Sequence, residues 1–231
     1  MVAAGDRPLG VVELFTSQGC NSCPPADDNL AAIARRGDVV TLAYHVNYWD
    51  YRGWRDTLAS AENTARQQEY RNAFRARAVY TPQAVINGRV HVNGAKRHAV
   101  EGALASLSSN GKGMQVEVHI ERRKDSFVIS IGDAPKPISA QVKLVYFDHP
   151  QSVTIGEGEN DGRTVYYVNP VTGSQPAGMW HGKASTIELP ANEVLKKGAG
   201  GCAILLQSVT ADGGPGPIIG AASLKNAGAF H

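Results

Sequence analysis

Cys20-Asn21-Ser22-Cys23 sets two thiols two residues apart, directly before Pro24-Pro25 and a helical pattern. Cysteines at that spacing can close a small disulfide ring. A thiol at a helix start also meets unpaired backbone N–H groups and the positive end of the helix dipole, and both favour the reactive thiolate. Cys20, as the first and more exposed cysteine of such a turn, is expected to be the nucleophile, with Cys23 resolving the mixed disulfide from inside the helix. The same two thiols are half of a tetrahedral zinc site. No second cysteine pair exists and His45, His91 and His98 are scattered, so no zinc centre is expected. Two soft thiolates assisted by His45 would suit Cu(I), which keeps copper handling as an alternative.

The elements that must position this turn alternate in type. Val11 to Ser17 reads as a strand, Ala26 to Arg36 as a helix with Leu30, Ile33 and Ala34 on one face and Asp27 and Asp28 suiting its first turn, and Val39 to Val46 as a second, mostly buried strand. An aromatic connection, Asn47 to Trp54, follows. Ser60 to Ala78 lacks Gly and Pro and reads as a helix with Ala61, Ala65, Tyr70, Ala73 and Phe74 inward. Its Arg66, Arg71, Arg75 and Arg77, matched by Glu62 and Glu69, read as a solvated face. Gln83 to Ile86 and Arg89 to Val92 flank Asn87-Gly88, a strong hairpin signal, and Arg97 to Leu107 reads as a third helix.

Ser108 to Gly113 is small and polar and reads as a linker. Beyond it come short alternating segments, Gln115 to Glu121, Phe127 to Ile131, Gln141 to Phe147, Arg163 to Val168, Thr186 to Leu189, Ala203 to Val209 and Ile218 to Ser223, with one short helix at Ala191 to Lys197. That pattern predicts an antiparallel sandwich of roughly seven or eight strands. The expected organisation is therefore an α/β domain over residues 1–110 and an all-β domain of unknown role over residues 111–231.

Composition narrows the function classes. Net charge is +2, from 23 basic and 21 acidic side chains, so no strong field would draw nucleic acid. No apolar run approaches the ~20 residues of a membrane span. Three cysteines are too few for a disulfide-stapled scaffold, and Cys202, opening the apolar run Ala203 to Leu206, reads as a core residue. A Ser-His-Asp elbow, a Walker loop and a dinucleotide fingerprint are all missing, so no cofactor is expected. Met1 to Gly5 has the small-residue look of a mature end behind an added initiator Met.

His45 closes the second strand, at the sheet edge where ligands gather in parallel sheets. It reads either as a neighbour of Cys20 or as a histidine bonded to loop backbone. Tyr48, Trp49, Asp50, Tyr51 and Trp54 leave the same edge, either as a peptide-receptive rim or as a lid packed over the first helix. Glu157, Glu159 and Asp161-Gly162 lack the spacing of a calcium loop and read as a turn.

A dithiol after the first strand, two crossover helices and a terminal hairpin plus helix resemble the thioredoxin fold in its compact, glutaredoxin-like form. In that fold a cis proline opens the third core strand and faces the dithiol, which implies this role for Pro82 and a substrate-facing position for Thr81. The chain also resembles the DUF1223 family of bacterial proteins, often exported, through Glu13 to Cys20, Cys23-Pro24-Pro25-Ala26-Asp27, Tyr48-Trp49-Asp50 and Gly156-Glu157-Gly158-Glu159-Asn160. Where thioredoxins commonly carry a tryptophan before the first cysteine and Gly-Pro between the two, this chain has Gly19 and Asn21-Ser22. The resemblance implies a fold and a dithiol; with the placement of the pair, the expected function is thiol-disulfide exchange on protein thiols or disulfides through Cys20 and Cys23, with Tyr48, Trp49 and Thr81 contacting substrate, and the alternatives are Cu(I) handling and a non-catalytic protein-binding module. It also implies a periplasmic or secreted location, with the signal peptide removed.

Overall fold

The two apolar runs that open the chain become β1 (Gly10–Thr16) and β2 (Val39–His45), each buried at every position, as strands covered on both faces must be. They pair in parallel, and β3 (Gln83–Ile86) and β4 (Val90–Asn93) extend the sheet antiparallel, giving the order β2-β1-β3-β4. The computed structural model describes residues 7–197 and 199–225. The Met1 to Gly5 stretch lies outside the described residues.

Alternation along β1 sends its side chains to two cores. Val12 and Leu14 pack under α1 (Pro24–Arg36) and α3 (Arg97–Ser109), with Leu30, Ile33, Val100 and Leu104. Val11 and Phe15 face the other way, onto Val145, Phe147, Ala203 and Leu205 of a second sheet. Asn87 and Gly88 form the turn between β3 and β4 with positive φ of 51° and 60°, which is the backbone that Asn-Gly favours.

The second sheet is built from β7 (Ala140–Phe147), β10 (Val171–Trp180), β12 (Gly201–Val209) and β13 (Pro215–Lys225), in the order β10-β7-β12-β13 and antiparallel throughout. It is a middle layer. On its far face Val142, Leu144, Tyr146, Cys202, Ile204 and Leu206 meet Val118, Ile120, Phe127 and Ile129 of a third sheet, made of β5 (Val118–Arg122), β6 (Ser126–Ile131) and β11 (Ser185–Pro190). Cys202 is thus a core residue, and burial pushes its thiol up to about 12. The short α4 (Ala191–Lys197) closes this core with Ala191 and Val194.

Three sequence expectations are corrected. The helix expected over Ser60 to Ala78 is α2 (Ala61–Ala73), capped by the Ser60 side chain and ended by Arg75, whose φ is 52°. Its inner face is polar: Asn63, Arg66 and Gln67 are buried beside Tyr70, while Ala61 and Ala65 are exposed. Arg66 belongs to no solvated face. It is 4 % exposed and pairs with the fully buried Glu13, Nε to Oε1 at 2.7 Å, while Tyr70 donates to the other Glu13 oxygen and Gln207 of β12 accepts from Arg66. A carboxylate on a core strand demands such a partner, and only the facing helix could supply it.

Strand β10 escapes sequence reading because Gly173, Pro176 and Gly178 interrupt its alternation. It tolerates them as an edge strand whose register shifts at those residues. Strand β8 (Gln151–Thr154) also escapes, being only four residues long. It pairs with β9 (Thr164–Tyr167) as a separate two-stranded ribbon. Among the described residues no helix is long and apolar enough to cross a membrane.

Candidate functional site

The dithiol turn hangs between β1 and α1. Cys23 is the N-cap residue of α1, Pro24 and Pro25 occupy the first helical positions where a missing N–H costs nothing, and Cys20 is joined to Cys23 in a disulfide with Cα atoms 5.4 Å apart. The turn is held by backbone bonds from Cys20 N–H to Ser17 O and from Cys23 N–H to Cys20 O, both 3.1 Å. The Thr81–Pro82 peptide bond is cis. Since Phe15 pairs with Gln83, Pro82 stands at the end of the sheet where β1 leads into the turn. Gly94 separates it from the helix: a side chain there would meet both Ala26 and Pro82.

Trp49 joins the two halves of this edge. Its indole N–H donates to Thr81 Oγ1 at 2.8 Å, and its Cβ and carbonyl lie 3.2 Å from where a Cβ on Gly19 would stand. Gly19 is therefore the residue that lets Trp49 cross over the turn, filling space that a tryptophan at position 19 would claim. Tyr48 and Trp49 are half-buried and pack against the core shared by the first two sheets, while the neighbouring Tyr51 is 75 % exposed.

The expected exposure of Cys20 is corrected, because Cys20 and Cys23 are both 0 % exposed. The far half of the chain packs against the turn. The ribbon of β8 and β9 carries at its tip the short helical turn Gly158–Asn160, and the Asn160 side-chain amide donates to Cys20 O at 2.9 Å and Gln18 O at 2.8 Å. Gly156 and Gly158 permit the approach, since a Cβ on either would press on Trp54 or on Arg52 O. Ile155, Val165 and Tyr167 make a small core with Trp54 and Leu58, and an exposed pair, Arg52 to Glu159 at 2.8 Å, lies at the rim. The motif Gly156 to Asn160 is this tip, so the turn read for Glu157 to Gly162 is present and sits against the dithiol.

Behind the turn lies a buried acid–base cluster. His45, level with Thr16 across β1 and β2, is 0 % exposed, and its Nδ1 is 2.9 Å from Asp56 Oδ2. Asp56 also accepts the Gln18 N–H on Oδ2 and the Leu58 N–H on Oδ1, both at 2.8 Å, so one carboxylate positions both the turn and the imidazole. Burial would push the Asp56 carboxyl up, but His45 and the backbone donors outweigh it and hold it below the usual range. Burial alone would likewise lower His45, but Asp56 and Asp27 raise it. Asp27, one helical turn beyond Cys23, is 3 % exposed, and burial pushes its carboxyl up to about 7. The sequence marks Asp27 only as a first-turn acid and does not mark Asp56; their signal is a burial that no local pattern reports.

The structure thus brings Thr81, Pro82, Trp49 and the two cysteines to one edge, with His45 engaged by Asp56. Among the described residues no group of three or more His, Cys, Asp or Glu side chains is arranged to hold a metal ion.

Comparison with known proteins agrees over almost the whole chain. A crystallised protein of Agrobacterium tumefaciens, AGR_C_4864, is 43 % identical, with 99 % of each chain covered and a TM-score of 0.87. HBP35 of Porphyromonas gingivalis shares the fold at a TM-score of 0.61 with 11 % identity, over 96 % of this chain and 76 % of that one. No curated protein matches. Residues 11–207 match the family described as protein of unknown function, DUF1223, and the chain belongs to that family.

Proposed function

We propose that this protein is a thiol-disulfide oxidoreductase, cycling Cys20 and Cys23 between dithiol and disulfide against protein thiols or disulfides. The observation that carries this reading is the disulfide at the N-cap of α1. There the positive end of the α1 dipole favours the thiolate released when the bond opens. A thioredoxin-like unit over residues 1–110 accounts for the sheet order β2-β1-β3-β4 with α1 and α3 on one face, and for Pro82 beside the turn. Residues 111–231 then act as a β-rich partner that supplies the cover. A disulfide in this role suits an oxidising, exported compartment.

Because both sulfurs are buried, the ribbon carrying Asn160 must lift before a polypeptide can reach Cys20, and Trp49, Tyr48 and Thr81 are the residues such a polypeptide then meets. The test is to equilibrate the protein with glutathione redox buffers and to trap partners with Cys23→Ser, which leaves Cys20 unable to release a bound thiol. A reversible two-electron transition and covalent adducts lost in Cys20→Ser are expected. A pair that dithiothreitol and glutathione cannot cycle, and that traps nothing, would overturn the reading.

A further inference from the structure

The tip of the β8–β9 ribbon sits on the dithiol turn as a ligand would. Between Gly156 and Gly162 it exposes three acids, Glu157, Glu159 and Asp161, and has no base, while the aromatic loop opposite exposes Arg52 and Arg55. Glu159 pairs with Arg52, and Asn160 donates to the carbonyls of Gln18 and Cys20. The two backbones also approach closely, since a Cβ on Gly53 would stand 3.9 Å from Gly158 Cα. Arg52 is held in place without Glu159: its guanidinium lies 5.4 Å from the Trp49 ring centroid and 5.3 Å from that of Tyr51, and its Nε donates to the Tyr51 hydroxyl at 3.1 Å. The receiving surface therefore persists when the tip leaves. The tip fills that surface imperfectly. Asn160 is 1 % exposed, yet its side-chain oxygen has no hydrogen-bond partner, so burying the amide strands an acceptor. The Arg52–Glu159 pair is open to solvent, with 43 % and 33 % of the two side chains exposed, and pairs of that kind contribute little net stability. Both facts make the tip displaceable.

We propose that the tip is an internal stand-in for the partner, and that the polypeptides this dithiol acts on present an acidic segment beside their reactive cysteine; the proposal rests on the dithiol reading above. When the ribbon lifts, an aspartate or glutamate of the partner takes the place of Glu159 on Arg52. Amide N–H groups of the partner take the place of Asn160 on the Gln18 and Cys20 carbonyls. Because one of those carbonyls belongs to Cys20 itself, a segment that reaches them lies against the dithiol turn. The partner's cysteine thiolate then attacks Cys20 Sγ, the Cys20–Cys23 bond breaks with its electron pair leaving on Cys23 Sγ, and a mixed disulfide with Cys20 forms. Charge complementarity of this kind acts on encounter more than on final affinity, so the preference is read as a rate.

The test uses the whole oxidised chain and two synthetic cysteine peptides, one with glutamates beside the cysteine and the other with lysines at the same positions. The rate at which each opens the Cys20–Cys23 bond is followed by mass spectrometry and divided by that peptide's rate with hydroxyethyl disulfide, a neutral reference that removes the difference in thiol reactivity. In the wild type the acidic peptide should be faster by about fivefold or more at low salt, and the ratio should shrink toward one at high salt. Arg52→Glu should invert the preference. The ratio compares two peptides on one chain, so a ribbon loosened by the substitution speeds both and cancels. A ratio near one in the wild type, or one that Arg52→Glu leaves unchanged, overturns the proposal while leaving the oxidoreductase reading intact. A ratio near one in a chain that sediments as a dimer would make a second copy's tip the occupant, and overturns it likewise. A wild-type disulfide that neither peptide nor dithiothreitol opens overturns the dithiol reading, and this proposal with it.

Discussion

Asn160 and Cys20 stand 140 positions apart in the chain, yet the Asn160 amide donates to the Cys20 carbonyl at 2.9 Å and so fastens the β-rich half onto the dithiol turn. The same amide reaches the Gln18 carbonyl at 2.8 Å, which makes one side chain the clasp of the ribbon. A site built this way is closed at rest.

Removing the clasp should therefore open the site. Asn160→Ala loses two hydrogen bonds to buried carbonyls, together roughly 1–3 kcal/mol. The rate at which a phosphine reductant opens the Cys20–Cys23 bond should rise about tenfold at unchanged fold. An unchanged reduction rate would mean that the ribbon does not govern access.

The Glu13–Arg66 pair predicts a stability effect without any redox readout. Arg66→Ala strands a buried carboxylate and should cost about 3–5 kcal/mol in chemical denaturation. Replacing Glu13 and Arg66 together with apolar residues of similar volume should recover much of that loss, since the desolvation cost disappears with both charges. A single-variant loss within measurement error would show that the pair is not buried as described.

Stability should also depend on pH through Asp27. Its carboxyl is raised to about 7 from 3.8, so the folded state binds this proton more tightly than the unfolded state. The stabilising contribution is fully present below the unfolded value and is lost as pH rises through about 7. Asp27→Asn, which never ionises, should therefore be the more stable chain in mild alkali, with its advantage shrinking as pH falls. Guanidinium midpoints compared at several pH values check this, and a constant difference would contradict it.

Gly19 should tolerate no side chain at full stability. A Cβ there lies 3.2 Å from both Trp49 Cβ and Trp49 O, so Gly19→Ala must shift the loop that also bonds Thr81. A loss of about 1–3 kcal/mol and a changed Trp49 environment in fluorescence are expected. Wild-type midpoint and emission in this variant would show that the loop moves freely.

Much of the first sheet was readable from local pattern. The runs in β1, β2 and β12, the Asn87-Gly88 turn and the alternation that opens β7 report their own burial because side-chain period is set by backbone geometry over a few residues. Strands β8 and β10 were not readable: one is too short to show a period, and the other carries Gly and Pro at an edge where pairing survives them. Arg66 misled for a different reason, and Asp27, in the first turn as read, gave no sign of its burial. Their types suit a solvated helix face and a first turn, and burial of either is decided by what packs opposite.

The sequence by itself determined the thiol pair, its place between a buried strand and a helix start, and the proline directly before the third strand, because spacing, propensity and turn chemistry act within a few residues. Only the tertiary structure decided that the pair is buried, that Asn160 fastens to the turn, and that Asp27, His45 and Asp56 share a buried space behind it. Those relations join residues from 11 to 142 positions apart. Their energies arise from desolvation and close packing, which exist only once the layers have come together.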